Sequence, residues 1–416
     1  MIAKLLYNLF AYPALSVAAH IAALFSPKLR EGLRGRRRVA GQARAFRERN
    51  NTARVVLFHC ASAGELEGIK PLAACCRERG FVPCVSYFSP SAKTALGPDS
   101  FAFADFSPFD SMHQVRAYLR ALRPETVLIS KHDVWPNLVW QCADMKIPVW
   151  LINGNFRGGS FKRWPGARAF HRAIHERLSG ILTVSEEHAE RARAIAGKHV
   201  FVASVGDSRF DRVLARAREQ RNPLDGRQSI LEQKRWIIGG STHERDEILL
   251  LEAFAQIRHD HPGLGCLVVP HDPSESAVGR IEATAQQFGL TCAEVDRTTT
   301  APDVLIVNRS GILADVYRYG TLAFVGGGFD RGVHSVIEPM AHGLAVICGP
   351  NTDVSREAQE AATEHLLFEI TAADELVRIA ADLLHQPMED AARKFVMLRA
   401  GVVDRVLDTV LPRHAA

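Results

Sequence analysis

No two of the eight cysteines stand as a C-x-x-C pair, and Cys60, Cys75, Cys76, Cys142, Cys266 and Cys348 lie in apolar runs. That argues against a disulfide frame or a zinc site and favours reduced, buried thiols in a cytosolic setting. Charge is missing as well. From Leu5 to Phe25 there is no Asp, Glu, Lys or Arg, a run about long enough to cross a hydrocarbon core of roughly 30 Å. The strong positive cluster follows this run instead of preceding it, which disfavours a secretory signal. Low-complexity tracts and internal repeats are absent, and a 416-residue chain with 47% apolar and 23% charged residues is not disordered. It is long enough for two domains, each with its own core.

The net charge of +5 is mild, but its distribution is uneven. Lys28, Arg30, Arg34, Arg36, Arg37 and Arg38 crowd one short segment, and Arg44, Arg47 and Arg49 follow. Such cations stay on the cytoplasmic side of a membrane and attract anionic headgroups at about 1 kcal/mol each. Aromatics do not interleave with them, which argues against nucleic acid. Asn8, Pro13 and His20 weaken a transmembrane span. The apolar run therefore spans a membrane, lies in its interface, or packs on the body as a buried N-terminal helix.

After this segment strand and helix patterns alternate. VVLFHCAS, FVPCVSYFS, TVLIS, PVWLIN and ILTVS read as strands separated by helical stretches. A second series follows GDSRFDRV, with strands RWIIGGS, GCLVVPH, DVLIVN, TLAFVGGG and AVICGP. Such order means parallel sheets covered by helices on both faces. The expected fold is α/β: two doubly wound, Rossmann-like domains facing a cleft, with an N-terminal membrane-anchor helix. The expected boundaries are 1–38 for the anchor and its basic flank, 39–205 and 206–390 for the two domains, and 391–416 for a helix returning to the first domain. Ligands bind such sheets beyond the carboxyl ends of their strands.

Glu65 follows one such strand in HCASAGELEG, where a carboxylate can project from a strand-to-helix turn. It is either a general base or a first-turn acid favoured by the helix dipole. In GGSTHERDE, Ser241 can cap the next helix and Glu244 can complete a capping box, giving a phosphate cradle or merely a well-made cap. The Gly326–Gly328 run permits close backbone approach to a ligand or serves as a turn. Glu338 opens a further helix. His171 and His175, at i and i+4, read as a solvated helix face, since no third metal ligand is evident.

Together these pieces resemble the Kdo (3-deoxy-D-manno-octulosonic acid) transferases, GT-B glycosyltransferases of lipopolysaccharide synthesis. The resemblance rests on LLYNLFAYPAL, SAGE at Ser62–Glu65, DVWPNL at Asp133–Leu138, GSTHE at Gly240–Glu244, and HSVIEPMAHGLAVICGPNT at His334–Thr352. It implies transfer of Kdo from CMP-Kdo to a hydroxyl of the lipid A precursor at the cytoplasmic face of the inner membrane. It also implies no cofactor and no metal, in keeping with the absence of any D-x-D. Glu65 matches the family's catalytic base. Ser241, Thr242, His271, Gly311, His334 and Glu338 are expected to bind the donor. Ser62, Gly64, Lys131, Asp133 and Arg157 are expected to contact the acceptor or its anionic groups. The sequence departs from the family at Lys131, where an acid is usual, at His271 and Asp272, where Pro-Arg-His-Pro is usual, and at Ser310-Gly311-Ile312, where Met-Gly-Glu is usual; NGNFRGGS keeps Asn153, Arg157 and Ser160. These changes suggest a divergent branch with a variant acceptor. Two other classes share some of these features: nucleotide-sugar epimerases, of the same architecture but soluble, and non-catalytic lipid-headgroup binders, which need no base at position 65.

Overall fold

The computed structural model describes residues 2–97, 100–156, 165–219 and 221–411. It divides into two compact units, residues 1–211 with 400–416, and residues 212–399.

The first unit is built on a seven-stranded, wholly parallel sheet: Val55–Cys60 (β1), Val82–Tyr87 (β2), Phe103–Phe106 (β3), Thr126–Ser130 (β4), Val149–Gly154 (β5), Gly180–Thr183 (β6) and Phe201–Ser204 (β7), in the order β3-β2-β1-β4-β5-β6-β7. β1 is buried along its whole length, as expected of a central strand covered on both faces. Its register pairs Phe58 with Val85 on one side and with Leu128 on the other.

The second unit repeats the plan with Arg235–Thr242 (β8), Leu264–Pro270 (β9), Cys292–Glu294 (β10), Val304–Ile306 (β11), Gly320–Val325 (β12), Val346–Cys348 (β13) and Leu367–Glu369 (β14), in the order β10-β11-β9-β8-β12-β13-β14. Trp236 and Phe324 are fully buried in its core. The C-terminal segment is not one returning helix. Glu389–Arg399 stays in the second unit, the backbone turns at Gly401 (φ +77°), and Val402–Val410 belongs to the first. Asp211 caps this last helix by accepting the N–H groups of Gly401 and Val402 at 2.8 and 3.0 Å.

Residues Ile2–Phe25 are helical, with a π-type turn over Tyr7–Ala11. Only a small part of this helix is buried. The two polar residues of its YN pair attach it to the body. The Tyr7 hydroxyl donates to Asp110 at 2.9 Å, and Asn8 exchanges amide hydrogen bonds with Asn137 at 3.1 and 2.9 Å. Leu9, Phe10, Leu15, Val17, Ile21, Leu24 and Phe25 remain exposed. The basic flank is no detachable tail. Gly32 and Arg36 are buried in the helix Pro27–Arg36, and Val39, Ala43 and Phe46 of the next helix enter the core. Arg36 therefore leaves the set of cations offered to a membrane, while Lys28, Arg30, Arg34, Arg37 and Arg38 stay exposed.

Asp110 also accepts the backbone N–H groups of Asn137 and Leu138, each at 3.1 Å. Asp110→Ala strands three buried donors and is expected to cost about 2–4 kcal/mol, read as a lowered urea midpoint for the first unit, with Tyr7→Phe costing about 1 kcal/mol. An unchanged midpoint in Asp110→Ala would show that this tether is not structural.

Candidate functional site

Each sheet changes direction of winding across its centre, between β1 and β4 in the first unit and between β8 and β12 in the second, where β11 is in addition inserted between β9 and β10. The carboxyl ends flanking such a reversal form the natural ligand crevice of an open α/β sheet. The first crevice carries Glu65 after β1 and Asp133 after β4; the second carries His243 after β8 and His334 after β12.

Glu65 stands in the first turn of the helix Ala63–Glu78, where its Oε2 accepts the Ala61 backbone N–H at 2.7 Å. It is 9% exposed. Burial lifts its carboxyl above the ordinary range and nearby Asp133 adds to this, while the Ala61 N–H, Lys131 and His59 pull it back. Ser62 begins the helix without a side-chain cap among the described residues. A Cβ at Gly64 would meet nothing within 4 Å there, so the turn beside Glu65 is open.

Asp133 is held by His59, whose Nε2 lies 3.0 Å from Asp133 Oδ2 and whose Nδ1 lies 3.0 Å from Ser86 Oγ. Burial alone would raise Asp133, but the His59 hydrogen bond and charge, with the Arg36 cation, leave it below the usual carboxylate range. The buried Arg36 guanidinium lies 4.4 Å from the Phe88 ring centre and donates to the Phe88 carbonyl. Burial lowers its pKa to about 10, against the pull of Asp133. Two neighbouring carboxyls are thus pushed apart, one toward holding its proton and one toward losing it, which is the arrangement acid–base chemistry uses.

Lys131 (φ +57°), just after β4, and Asn153 (φ +53°), next to the last residue of β5, lie in the left-handed region, at a cost of about 1 kcal/mol or more each for non-glycine residues. Asn153 Oδ1 is buried without a partner among the described residues. Strained backbone and orphaned polar atoms at strand ends are features of ligand sites. Arg157 and Ser160 lie outside the described residues.

In the second unit β8 runs through Thr242, and Ser241 is part of it, in the left-handed region (φ +53°). The helix Glu244–Asp260 is capped by His243, not by Ser241, because the strand has taken the serine's backbone. Its reciprocal acid is Asp246, not Glu244: Asp246 Oδ2 accepts the His243 N–H at 2.9 Å. The same oxygen accepts the Gly327 N–H at 2.9 Å, which ties the glycine turn to the helix start. Thr242 is buried, its hydroxyl donating to Glu247 at 3.2 Å, and Glu247 is paired with Arg280 at 2.7 and 3.0 Å. Its side chain thus serves the interior. The triple glycine is likewise consumed internally. A Cβ on Gly326 would stand 2.3 Å from the Ser241 carbonyl oxygen and 2.8 Å from Asp246.

His243, His271 and His334 cluster, with centroids 4.3 Å apart for the 271–334 pair and 5.4 Å for the 243–334 pair. Burial and the two neighbouring imidazoles push His334 down to about 4. Glu338 opens the short helix Ile337–Ala341, 4.0 Å from Arg212. Burial raises it, against Arg212 and Arg216. Arg216 also binds Asp315 at 2.8 Å and the carbonyl of Gly311, whose φ of +79° suits glycine. His271, His334, Gly311 and Glu338 thus fall in two groups, the imidazoles beside β8, and Gly311 with Glu338 around the Arg212–Arg216 stretch.

A family model described as 3-deoxy-D-manno-octulosonic-acid transferase (kdotransferase) matches residues 34–212. The 3-deoxy-D-manno-octulosonic acid transferase of Aquifex aeolicus is 26% identical over 331 residues, 78% of this chain and 85% of the relative. That of Bordetella pertussis is 26% identical over 380 residues, 85% of this chain and 86% of the relative. The chain is similar to Kdo transferases over most of its length, and its residues 34–212 match the model of that family. Among solved structures, the UDP-GlcNAc 2-epimerase of Neisseria meningitidis matches with a TM-score of 0.61 at 12% identity, covering 86% of this chain and 99% of its own. A glycosyltransferase from Rickettsia africae matches at 0.58 and 12%, covering 86% and 98%. At that identity these two report the fold alone, which is GT-B-like.

Sequence reasoning missed His59, Ser86 and Arg36 on one crevice and His243 and Asp246 on the other. His59 carried a signal: a lone polar ring in VVLFHC, on a strand otherwise apolar, needs hydrogen-bond partners once buried. His175 was misread as solvated. It is buried, its Nδ1 2.8 Å from the His171 carbonyl.

These couplings have opposite signs at Glu65. Carbon-13 NMR of the Glu65 carboxyl is expected to give a midpoint above the ordinary value of about 4.3. Asp133→Asn should lower it by removing a like charge, and Lys131→Met should raise it by removing a cation. Shifts of the same sign in both variants would contradict this geometry.

Proposed function

We propose that the protein transfers Kdo from CMP-Kdo to a hydroxyl of the lipid A precursor, with inversion at the anomeric carbon and Glu65 as general base. The carrying observation is Glu65 itself, a buried carboxyl with a raised pKa on an open turn at the reversal of its sheet. A base of raised pKa takes a proton more readily from an attacking hydroxyl than an ordinary carboxylate does. Proton removal of this kind needs no metal. The names of the relatives, 3-deoxy-D-manno-octulosonic acid transferases, support the transferred sugar and the reaction class. Lys131 and Asp133 are proposed to meet the acceptor's anionic and hydroxyl groups, with Ser62 and Gly64 leaving room for its approach.

The leaving group is a phosphate monoester, so departure of CMP needs donors and positive charge more than it needs a general acid. The N-terminus of the helix Glu244–Asp260 offers free N–H groups and the positive end of a dipole, and His271 and His334 stand beside it. Ser241 and Gly311 are proposed to contact the donor through backbone. Thr242, committed to Glu247, is proposed to act only through its backbone. Glu338 is proposed to accept ribose hydroxyl or base amino groups.

The membrane reading rests on the exposed apolar residues of Ile2–Phe25, which is long and apolar enough to span, and on the exposed cations that follow. A cavity of about 290 Å³ lined by Tyr12, Leu15, Ala19, Leu29, Phe109 and Trp135 lies against the same helix, and its apolar walls suit an acyl chain. The proposed place of action is the cytoplasmic face of the inner membrane.

Incubation with radiolabelled CMP-Kdo and lipid A precursor should yield labelled lipid. Glu65→Gln should retain CMP affinity and lose roughly 10²–10⁴-fold in rate, while Glu338→Ala should weaken CMP binding by calorimetry. Transfer within a few-fold of wild type in Glu65→Gln would remove it as base. Release of an epimerised sugar nucleotide without lipid labelling would favour an epimerase. Replacing Leu9, Phe10, Val17 and Ile21 by serine should move the protein from the membrane pellet to the supernatant; retention in the pellet would place the attachment elsewhere.

A further inference from the structure

We propose that His243, His271 and His334 form a binding site for one divalent transition-metal ion of the zinc class. The three come from separate segments at the carboxyl ends of three strands: His243 after β8, His271 after the neighbouring β9, and His334 after β12. His243 Nε2 and His334 Nε2 are 3.2 Å apart, close to the separation of about 3.3 Å that two imidazoles keep on a tetrahedral zinc with Zn–N bonds of about 2.0–2.1 Å. Ligand atoms of all three lie within 4.8 Å of one another. His271 is the exposed member, so it is the ring free to close on an ion arriving from solvent. The His271–His334 and His243–His334 rings are stacked, so binding an ion would require a turn about their Cβ–Cγ bonds to aim the lone pairs at one point.

The loops that carry the cluster are held in place. Asp246, nearly fully buried, accepts the N–H of His243 and of Gly327 with one oxygen. The His334 ring rests on Gly327, where a Cβ would come within 2.9 Å of its Cδ2. The His271 N–H donates to the Thr242 carbonyl at 3.0 Å, one residue before His243. Three imidazole nitrogens and no carboxylate among the cluster select zinc, cobalt or nickel over magnesium or calcium.

Three protein ligands leave a fourth position open, the pattern of a working metal site in contrast to a structural one. That position would take an anionic oxygen of the donor phosphate, a role that rests on the donor reading above and departs from the metal-free transfer the family resemblance implies. His271 stands where the family motif has an arginine, so the ion would return positive charge to that place.

The test uses the full-length, metal-stripped protein in detergent, titrated with Co²⁺ and read by visible absorption. One equivalent is expected, giving the intense bands of a four-coordinate site, and Zn²⁺ should displace it. His271→Leu and His243→Gln should each weaken binding by more than the 10–100-fold typical of losing an outer-shell partner, while His171→Gln should not. Circular dichroism melts confirm that each variant is folded. Absence of the bands in the wild type, or unchanged bands in His271→Leu and His243→Gln, would overturn the site. Calorimetry with CMP on metal-free and Co²⁺-loaded protein separates the two readings: Co²⁺ binding without CMP binding in either form would sink the donor assignment and leave the metal site standing, and CMP binding without Co²⁺ would do the reverse.

Discussion

Parallel strands all present their carboxyl ends on the same edge, and a sheet that is filled outward from its centre must reverse order somewhere. At that reversal the helices leave in opposite directions and no side chain closes the gap. Both sheets of this protein meet the constraint in the same way, with β1/β4 in one unit and β8/β12 in the other. The chemistry-bearing residues follow from it. Glu65, Lys131 and Asp133 come directly after the strands of the first reversal, and His243 and His334 after those of the second. Helix N-termini arrive at the same places, because each strand is followed by the start of a helix, so backbone donors are available wherever the reversal leaves room.

The first crevice shows how burial and charge divide labour between two carboxyls. Burial raises the Glu65 carboxyl, against the pull of its one backbone donor, the Ala61 N–H. Asp133 is half-buried, and a histidine that is itself fixed by Ser86 holds it below the usual carboxylate range. The negative charge retained on Asp133 further disfavours charge on Glu65. Arg36 balances that retained charge from a buried position between aromatic rings, which is why a residue of the basic N-terminal flank belongs to the site and not to the surface. The sequence neighbours of Arg36 differ from it in one respect: the helix Pro27–Arg36 turns only its Gly32 and Arg36 face inward.

Much of this was legible before any coordinates. Central strands such as TVLIS were found because they are continuous apolar runs, the mark of burial on both faces. The four strands that escaped notice, β3, β7, β10 and β14, are the outermost strands of the two sheets, three or four residues long. An edge strand is covered less, so its apolar pattern fades; β7 has no buried residue. The cap of the helix after β8 was misplaced for another reason. Capping boxes are read from spacing alone, and both Ser241–Glu244 and His243–Asp246 satisfy that spacing; strand pairing of Gly239 and Gly240 with β12 carries β8 onward and decides between them. Contacts across long sequence separations, such as His59 with Asp133 or Tyr7 with Asp110, had no local signature at all.

The N-terminal helix joins these levels. Of the residues that weaken a membrane span in the sequence, Asn8 is satisfied in the fold by Asn137, and its neighbour Tyr7 by Asp110. Those two partners belong to the segment that begins with Asp133 or to the loop that braces it, since Asp110 holds the N–H groups of Asn137 and Leu138. The first helical turns of the chain are thereby fastened to the same Asp133–Leu138 stretch that supplies a carboxylate to the first crevice. A helix fastened at one end and apolar along the rest of its exposed surface sets the distance between that crevice and any bilayer it enters. A ligand that straddled a bilayer surface and this crevice would be served by such a fixed spacing, because the entropy of locating the surface would be spent once, on docking.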